Sequence, residues 1–222
     1  MKSRPSTPAP FSRILLAASL FAVCQAASAG LIAQRDGRLG SVLVSGPNIV
    51  SFTTTSAFSN VSIEAKLSAG NYDGDGAGTF YLMTSIGPGT TLADEVARIV
   101  LKNVPYATSG MDFSVMFSGL TLDADTYYLV ESSNQGAGGL GWARGVLPTE
   151  SVGVGVTIGT DKVGIGAPNA YAPASSLFEY PYDLLFRVSG DSANAVPEPA
   201  GMALVATALT ALALTRRRPP RT

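Results

Sequence analysis

The stretch VSIEAKL, Val61 to Leu67, decides the fold. Val61, Ile63, Ala65 and Leu67 alternate with Ser62, Glu64 and Lys66. A period of two sends the apolar chains to one face and the polar chains to the other, which is the pattern of a half-buried antiparallel strand. DFSVMF, ending at Phe117, repeats it: Phe113, Val115 and Phe117 are expected on one face. Working outward, further β-branched and aromatic runs bounded by Gly, Pro, Asn or Asp read as strands: Ile49–Thr55, Thr79–Ile86, Arg98–Val104, Met111–Phe117, Thr126–Glu131, Val152–Ile158 and Leu184–Val188. Many short strands at this spacing predict an all-β fold, an antiparallel sandwich or jelly roll, over residues 30–189. Thr91–Leu101 fits a helical face and a strand equally; the expectation is a loop or one helical turn leading into a strand.

The two ends of the 222-residue chain differ from this body. Of fifteen Lys and Arg, seven lie in the terminal segments, and fifteen of the sixteen acids lie within residues 30–195, giving that middle a net charge of −7. Such a body repels phosphate, so no nucleic-acid partner is expected. The chain has no histidine, which removes Ser-His-Asp and Cys-His catalysis and histidine-ligated zinc. Residues 1–29 carry Lys2, Arg4 and Arg13, then the apolar ILLAASLFAVCQA, then a small-residue site ending at Ala29. This is the layout of a secretory signal peptide, an N-terminal signal helix removed after Ala29 by the export machinery and signal peptidase. Its apolar run is short of the roughly 20 residues a comfortable span needs. The single cysteine, Cys24, falls inside it, so no disulfide is expected in the mature chain.

The tail reads VPEPAGMALVATALTALALTRRRPPRT, residues 196–222. Residues 201–215 hold no charge, and as a helix they would be about 22 Å long at roughly 1.5 Å per residue. That is a short transmembrane helix against a hydrocarbon core of about 30 Å. Arg216, Arg217 and Arg218 behind it are expected to stay cytoplasmic. Pro197 and Pro199 hold Glu198 in extended backbone. Gly190–Ala195, GDSANA, reads as a flexible linker before it.

Val196-Pro197-Glu198-Pro199, the apolar segment and the three arginines resemble a PEP-CTERM sorting signal. The resemblance implies export in a Gram-negative bacterium that makes exopolysaccharide. It also implies tail processing by an exosortase, a membrane protease-transpeptidase, for which these residues are substrate features. A second resemblance covers the body. The order FSNVSIEAKL, a glycine-rich loop, FYLMTSIGPGTTLADEV, GLTLDADTYYLVES and then Trp142 is similar to the choice-of-anchor β-sandwich domains found on PEP-CTERM proteins, with Leu122, Thr126, Tyr128, Leu129 and Val130 fitting the motif. That implies a sandwich fold and names no activity.

NYDGDGAG, starting at Asn71, is the one candidate metal site. Asn71, Asp73 and Asp75 hold the first, third and fifth places of a calcium loop, with Gly76 at the sixth. Leu82 stands at the twelfth, where a bidentate Glu belongs, so a full EF-hand is excluded. Two readings stay open: a solvated Asn/Asp/Gly turn, or a looser calcium site completed by backbone carbonyls or by Asp94 or Asp123. Asp123 and Asp125 themselves read as the polar turn before a strand. Trp142, Tyr127, Tyr128, Tyr171, Tyr180 and Tyr182 are the candidates for a sugar-stacking platform. Glu64 and Glu131 are expected to face solvent, and no two carboxylates mark a glycosidase pair. QGAGGLGWARG, Gln135 to Gly145, reads as a mobile loop without a phosphate-binding context. The expectation is a non-enzymatic protein, in the inner membrane transiently and then at the cell surface or in the extracellular matrix, with a structural or adhesive role in exopolysaccharide or biofilm. The alternatives are a carbohydrate- or calcium-dependent binding module, and a hydrolase.

Overall fold

The computed structural model describes residues 29–43, 47–70, 76–107, 111–133, 139–164, 177–179, 182–193 and Ala208. The expected signal segment before Ala29 lies outside the described residues. So does the expected C-terminal helix, apart from Ala208, which is helical. The described chain is almost wholly antiparallel strand. In chain order these are β1 (Gly30–Leu43), β2 (Asn48–Thr54), β3 (Phe58–Ala65), β4 (Leu67–Ala69), β5 (Gly76–Met83) and β6 (Glu95–Val104). Then follow β7 (Ser114–Leu122), β8 (Thr126–Ser133), β9 (Leu140–Val152), β10 (Val156–Ile158), β11 (Lys162–Gly164), β12 (Leu177–Glu179) and β13 (Phe186–Ser192).

The strands form a two-sheet sandwich. One sheet has six strands in the order β4-β9-β1-β13-β3-β7; the other has seven, β12-β11-β2-β8-β5-β6 with β10 also on β2. The chain changes sheet repeatedly, so most paired strands are distant in sequence. VSIEAKL behaves as its alternation predicts. Val61, Ile63 and Ala65 are fully buried in the core, and Ser62, Glu64 and Lys66 sit half-buried on the outer face. Phe52 and Phe80 of one sheet meet Phe186 and Trp142 of the other. Phe52 stacks on Phe186 at 6.5 Å, and Trp142 packs edge-on against Phe80 at 5.0 Å. Each such large chain contributes about 1.5–3 kcal/mol on burial. Thr91 caps the 3-10 turn Leu92–Asp94 through a reciprocal capping box with Asp94, and the chain enters β6 directly behind it. This is the helical turn and strand expected for Thr91–Leu101.

Three sequence expectations are corrected. Phe113, Val115 and Phe117 do not share a face: the β3–β7 register shifts between Ile63 and Glu64, so Met116 and Phe117 are both buried while Val115 is exposed. Leu140–Gly145 is strand rather than loop, and its Gly145 serves close packing. A Cβ at Gly145 would lie 2.9 Å from Leu185 Cδ2 and 3.0 Å from the Pro148 ring, and one at Gly37 of β1 would lie 3.0 Å from the same residue. The linker begins later than Gly190, since Gly190–Ser192 belong to β13.

The free edges carry interruptions. Beyond Gly145 no described strand pairs with the outer side of β9, and there Leu147 adopts a φ of 48°, followed by Pro148. β6, at the other sheet's edge, turns Arg98 and Lys102 to solvent.

A buried ion pair joins the layers. Arg35 of β1 donates from Nη1 to Asp161 Oδ1 at 2.5 Å, and from Nε to Glu150 Oε1 at 2.8 Å. Asp161, just before β11 in the other sheet, accepts the Leu184 N–H on Oδ2 at 2.8 Å. Both partners are almost fully buried. Desolvation holds the Asp161 carboxyl above the ordinary carboxylate range, despite Arg35 and the Leu184 N–H. Arg35→Met strands Asp161 in the core, and is expected to cost about 3–5 kcal/mol at neutral pH. An acid with a raised folded pKa favours folding below its unfolded value and loses that contribution as pH rises through the folded value. The Arg35→Met deficit is therefore expected to shrink as pH falls toward 4, as urea denaturation of residues 30–193 at several pH values would record.

Candidate functional site

Strand register divides the sandwich into two ends. At one, Gly30 of β1 pairs with Gly190 of β13, Thr54 with Val156, Phe58 with both Leu122 and Ser192, and Met83 with Tyr128. The turns 55–57, 84–94, 123–125 and 153–155 connect strands here. At the other, Leu43 pairs with Trp142, Ala65 with Ser114, Ala69 with Leu140 and Gly76 with Val104. An eight-residue strand such as β8 sets the two ends about 27 Å apart, at roughly 3.4 Å per residue.

The calcium-loop residues Asn71, Asp73 and Asp75 lie outside the described residues, between Gly70 and Gly76 of the second end. Asp94 and Asp123 cannot complete a site there, because both stand at the first end. Asp94 accepts from the Thr91 N–H at 2.7 Å, and the Asp123 carbonyl accepts from the Tyr127 hydroxyl at 3.1 Å. Asp125 accepts from the Thr126 N–H, so Asp123 and Asp125 do form the polar turn before β8. Among the described residues no group of three or more Asp, Glu, His or Cys is placed to hold a metal.

The proposed stacking aromatics divide. Trp142 is fully buried and donates its Nε1–H to the Leu185 carbonyl at 2.8 Å; Tyr127 is buried against Phe52. Neither presents a face to a ligand. Tyr128 packs into a second cluster with Ile49, Tyr81, Met83 and Val130 on the outer face of the seven-stranded sheet. Tyr182 lies under the Arg144 guanidinium, and Tyr171 and Tyr180 are outside the described residues.

Glu131 is a correction. It is fully buried rather than facing solvent, because it follows Tyr127 and Leu129 in inward phase along β8. Asn48 of β2 donates to its Oε2 at 2.6 Å, which offsets the cost of placing a carboxylate there. Glu64 is only half-exposed and bonds Arg187. The sequence alternation gave no signal for either partner.

Both termini of the described body stand at the first end. Ala29 is exposed and β1 starts at the next residue. The Ala193 N–H bonds the Ala57 carbonyl at 3.0 Å and closes the other terminus of the body. Val196, Pro197, Glu198, Pro199, Arg216, Arg217 and Arg218 lie outside the described residues. Among the described residues no helix is long and apolar enough to cross a membrane.

One charged surface escaped sequence reading. On the outer face of the six-stranded sheet, Lys66 Nζ donates to Asp36 Oδ1 at 2.7 Å. Arg187 donates to Gln34 Oε1 at 2.9 Å and to Glu64 Oε2 at 3.3 Å. The Phe113 ring lies 4.7 Å from Lys66 and 4.2 Å from Arg187, and Met111 packs onto Ala143 and Leu185 beside it. Met111 and Phe113, just before β7, are thus held on this face by two cation–π contacts and an apolar plug. The pairs are mutually satisfied, which makes the network a clasp rather than an open receptor.

Partial burial works to raise the Asp36 carboxyl, but Lys66, the Gly37 N–H and the Arg187 charge outweigh it, so Asp36 lies below the ordinary carboxylate range. A depressed acid stabilises the fold above its unfolded pKa and loses that effect as pH falls through the folded value. Asp36→Asn is expected to be less stable than the parent at neutral pH, with the two denaturation curves converging below about pH 4, the unfolded carboxylate value. Compared with known proteins, the chain matches no family model, no curated sequence and no solved structure.

Proposed function

We propose that this chain is exported cargo whose tail is processed in the membrane, a PEP-CTERM-type substrate that delivers a sandwich domain to the cell surface or extracellular matrix. The observation that carries the reading is the antiparallel pairing of Gly30 with Gly190. It puts the residue after the expected cleavage site and the exit toward the sorting tail at one end of the body. A domain hung from a bilayer by either terminus then keeps one orientation.

The steps follow from the chain's chemistry. Signal peptidase cuts after the exposed Ala29, and the new terminus is already the first residue of β1. The apolar segment 201–215 holds the tail in the inner membrane, with Arg216, Arg217 and Arg218 on the cytoplasmic side. The proline-flanked Glu198 presents an extended peptide to an exosortase-type protease near Val196–Pro199. Only Asn194 and Ala195 separate that motif from Ala193, so the enzyme works close beneath a folded body. The role in the matrix is structural or adhesive, in contact with exopolysaccharide. The second end of the sandwich faces away from the membrane throughout.

Two tail variants test this. Glu198→Gln, and deletion of Arg216–Arg218, are each expected to leave protein of signal-cleaved but otherwise full length in the inner membrane. Mass spectrometry of membrane and extracellular fractions reads both termini. Normal release of either variant with a trimmed tail rejects the sorting reading.

A further inference from the structure

The turn between β9 and β10 presents an apolar residue where turns ordinarily present polar ones. The Val156 N–H bonds the Gly153 carbonyl at 3.2 Å, and Gly155 has a φ of 72°, which together mark a type II turn with Val154 at its leading corner. Val154 is 99% exposed. Val152 and Leu31 beside it are 49% and 42% exposed. Register keeps the three together: Val152 pairs with Ala33, and the Gly153 N–H bonds the Ile32 carbonyl at 2.8 Å. These residues form a small apolar foot at the end of the sandwich from which both termini leave.

We propose that this foot rests in the interfacial layer of a lipid bilayer, rather than on a protein. The inference rests on the membrane-tail reading above and adds a contact that reading does not require. Tether length is the argument. Seven residues, 194–200, separate Ala193 from the apolar segment, so the body's end lies at most about 28 Å from the start of that segment, at roughly 3.5 Å per residue. The headgroup layer takes up about 5–7 Å of that distance. Leu31 is two residues beyond Ala29, so before signal cleavage the foot is held against the membrane from the other terminus too.

Charge selects the lipid. The described turns of this end carry Asp94, Asp123 and Asp125, with Asp191 of β13 beside them, and no Lys or Arg. An acidic rim around an apolar foot is repelled by anionic headgroups and tolerates zwitterionic ones.

The test uses the chain from Gly30 to Thr222. It contains no native cysteine, so Val154→Cys and Phe178→Cys each accept one polarity-sensitive dye. Phe178, in β12, is exposed at the opposite end. In phosphatidylcholine vesicles, flotation reads insertion of the tail, while emission and quenching by brominated lipid read the foot. The expected result is a blue shift and quenching at position 154, neither at 178, and a smaller effect at 154 when phosphatidylglycerol is added. Leu31→Ser is expected to reduce the shift at 154 while flotation is kept. Flotation with an unshifted dye at 154 overturns the foot and leaves the tail reading intact. Failure to float overturns both. A shift at 154 that appears without lipid and grows with protein concentration overturns the lipid assignment in favour of a second copy.

Discussion

The fold depends on the first strand finding the last. β1 pairs with β13 on one side and with β9 on the other, so the six-stranded sheet exists only when residues more than a hundred positions apart have met. This long-range closure places Arg35 against Asp161 and positions Phe186 over Phe52. It also fixes where the termini leave. Sheets of this kind incur a large loop-closure entropy before their contacts form, so the body is expected to be a slow folder relative to helical proteins of its size.

Within that closed body the hydrophobic and the polar contributions differ in kind. The apolar layer built from Phe52, Phe80, Leu129, Trp142 and Phe186 supplies the driving force. Arg35 and Asp161 supply little net stability, because each gives up hydration on burial. What they provide is registry. A guanidinium reaching Asp161 on one side and Glu150 on the other, with the Leu184 N–H on the remaining oxygen, has one good arrangement of β1, β9 and the segment before β11. The Phe113 clasp does the same on the outer face, where Lys66 and Arg187 converge on a single ring.

The legible part of the sequence was its local alternation. VSIEAKL held its phase because β3 is paired with β13 and with β7 from Ile63 to Ala65 and turns one face only to the apolar core. The helical turn leading into a strand, expected for Thr91–Leu101, is present as Leu92–Asp94 followed by β6, and its capping box of Thr91 and Asp94 became visible only in the structure. β1 was not among the expected strands, because the glycines and charges of GLIAQRDGRLGSVL break the apolar alternation that marks one. Gly37 is there to admit the Pro148 ring, and Arg35 has a buried partner 126 residues away. The inward phase of Glu131 was equally hidden, since a carboxylate in that position is intelligible only once Asn48 is known to lie across from it. The candidate metal residues Asn71, Asp73 and Asp75 illustrate the same limit from the other side. Their spacing was legible, yet the acids offered to complete the site belong to the opposite end of the molecule.

The interruptions along the sheet margins bear on how such molecules behave when crowded. Leu147 in a left-handed conformation and the proline after it deny β9 a flush margin, and Arg98 and Lys102 set like charges against any second β6 that approaches. Along β9 and β6 neighbouring copies are thereby hindered from zipping into one continuous ribbon, however closely they are crowded. Any cohesion between crowded copies must then come from surfaces other than these two margins.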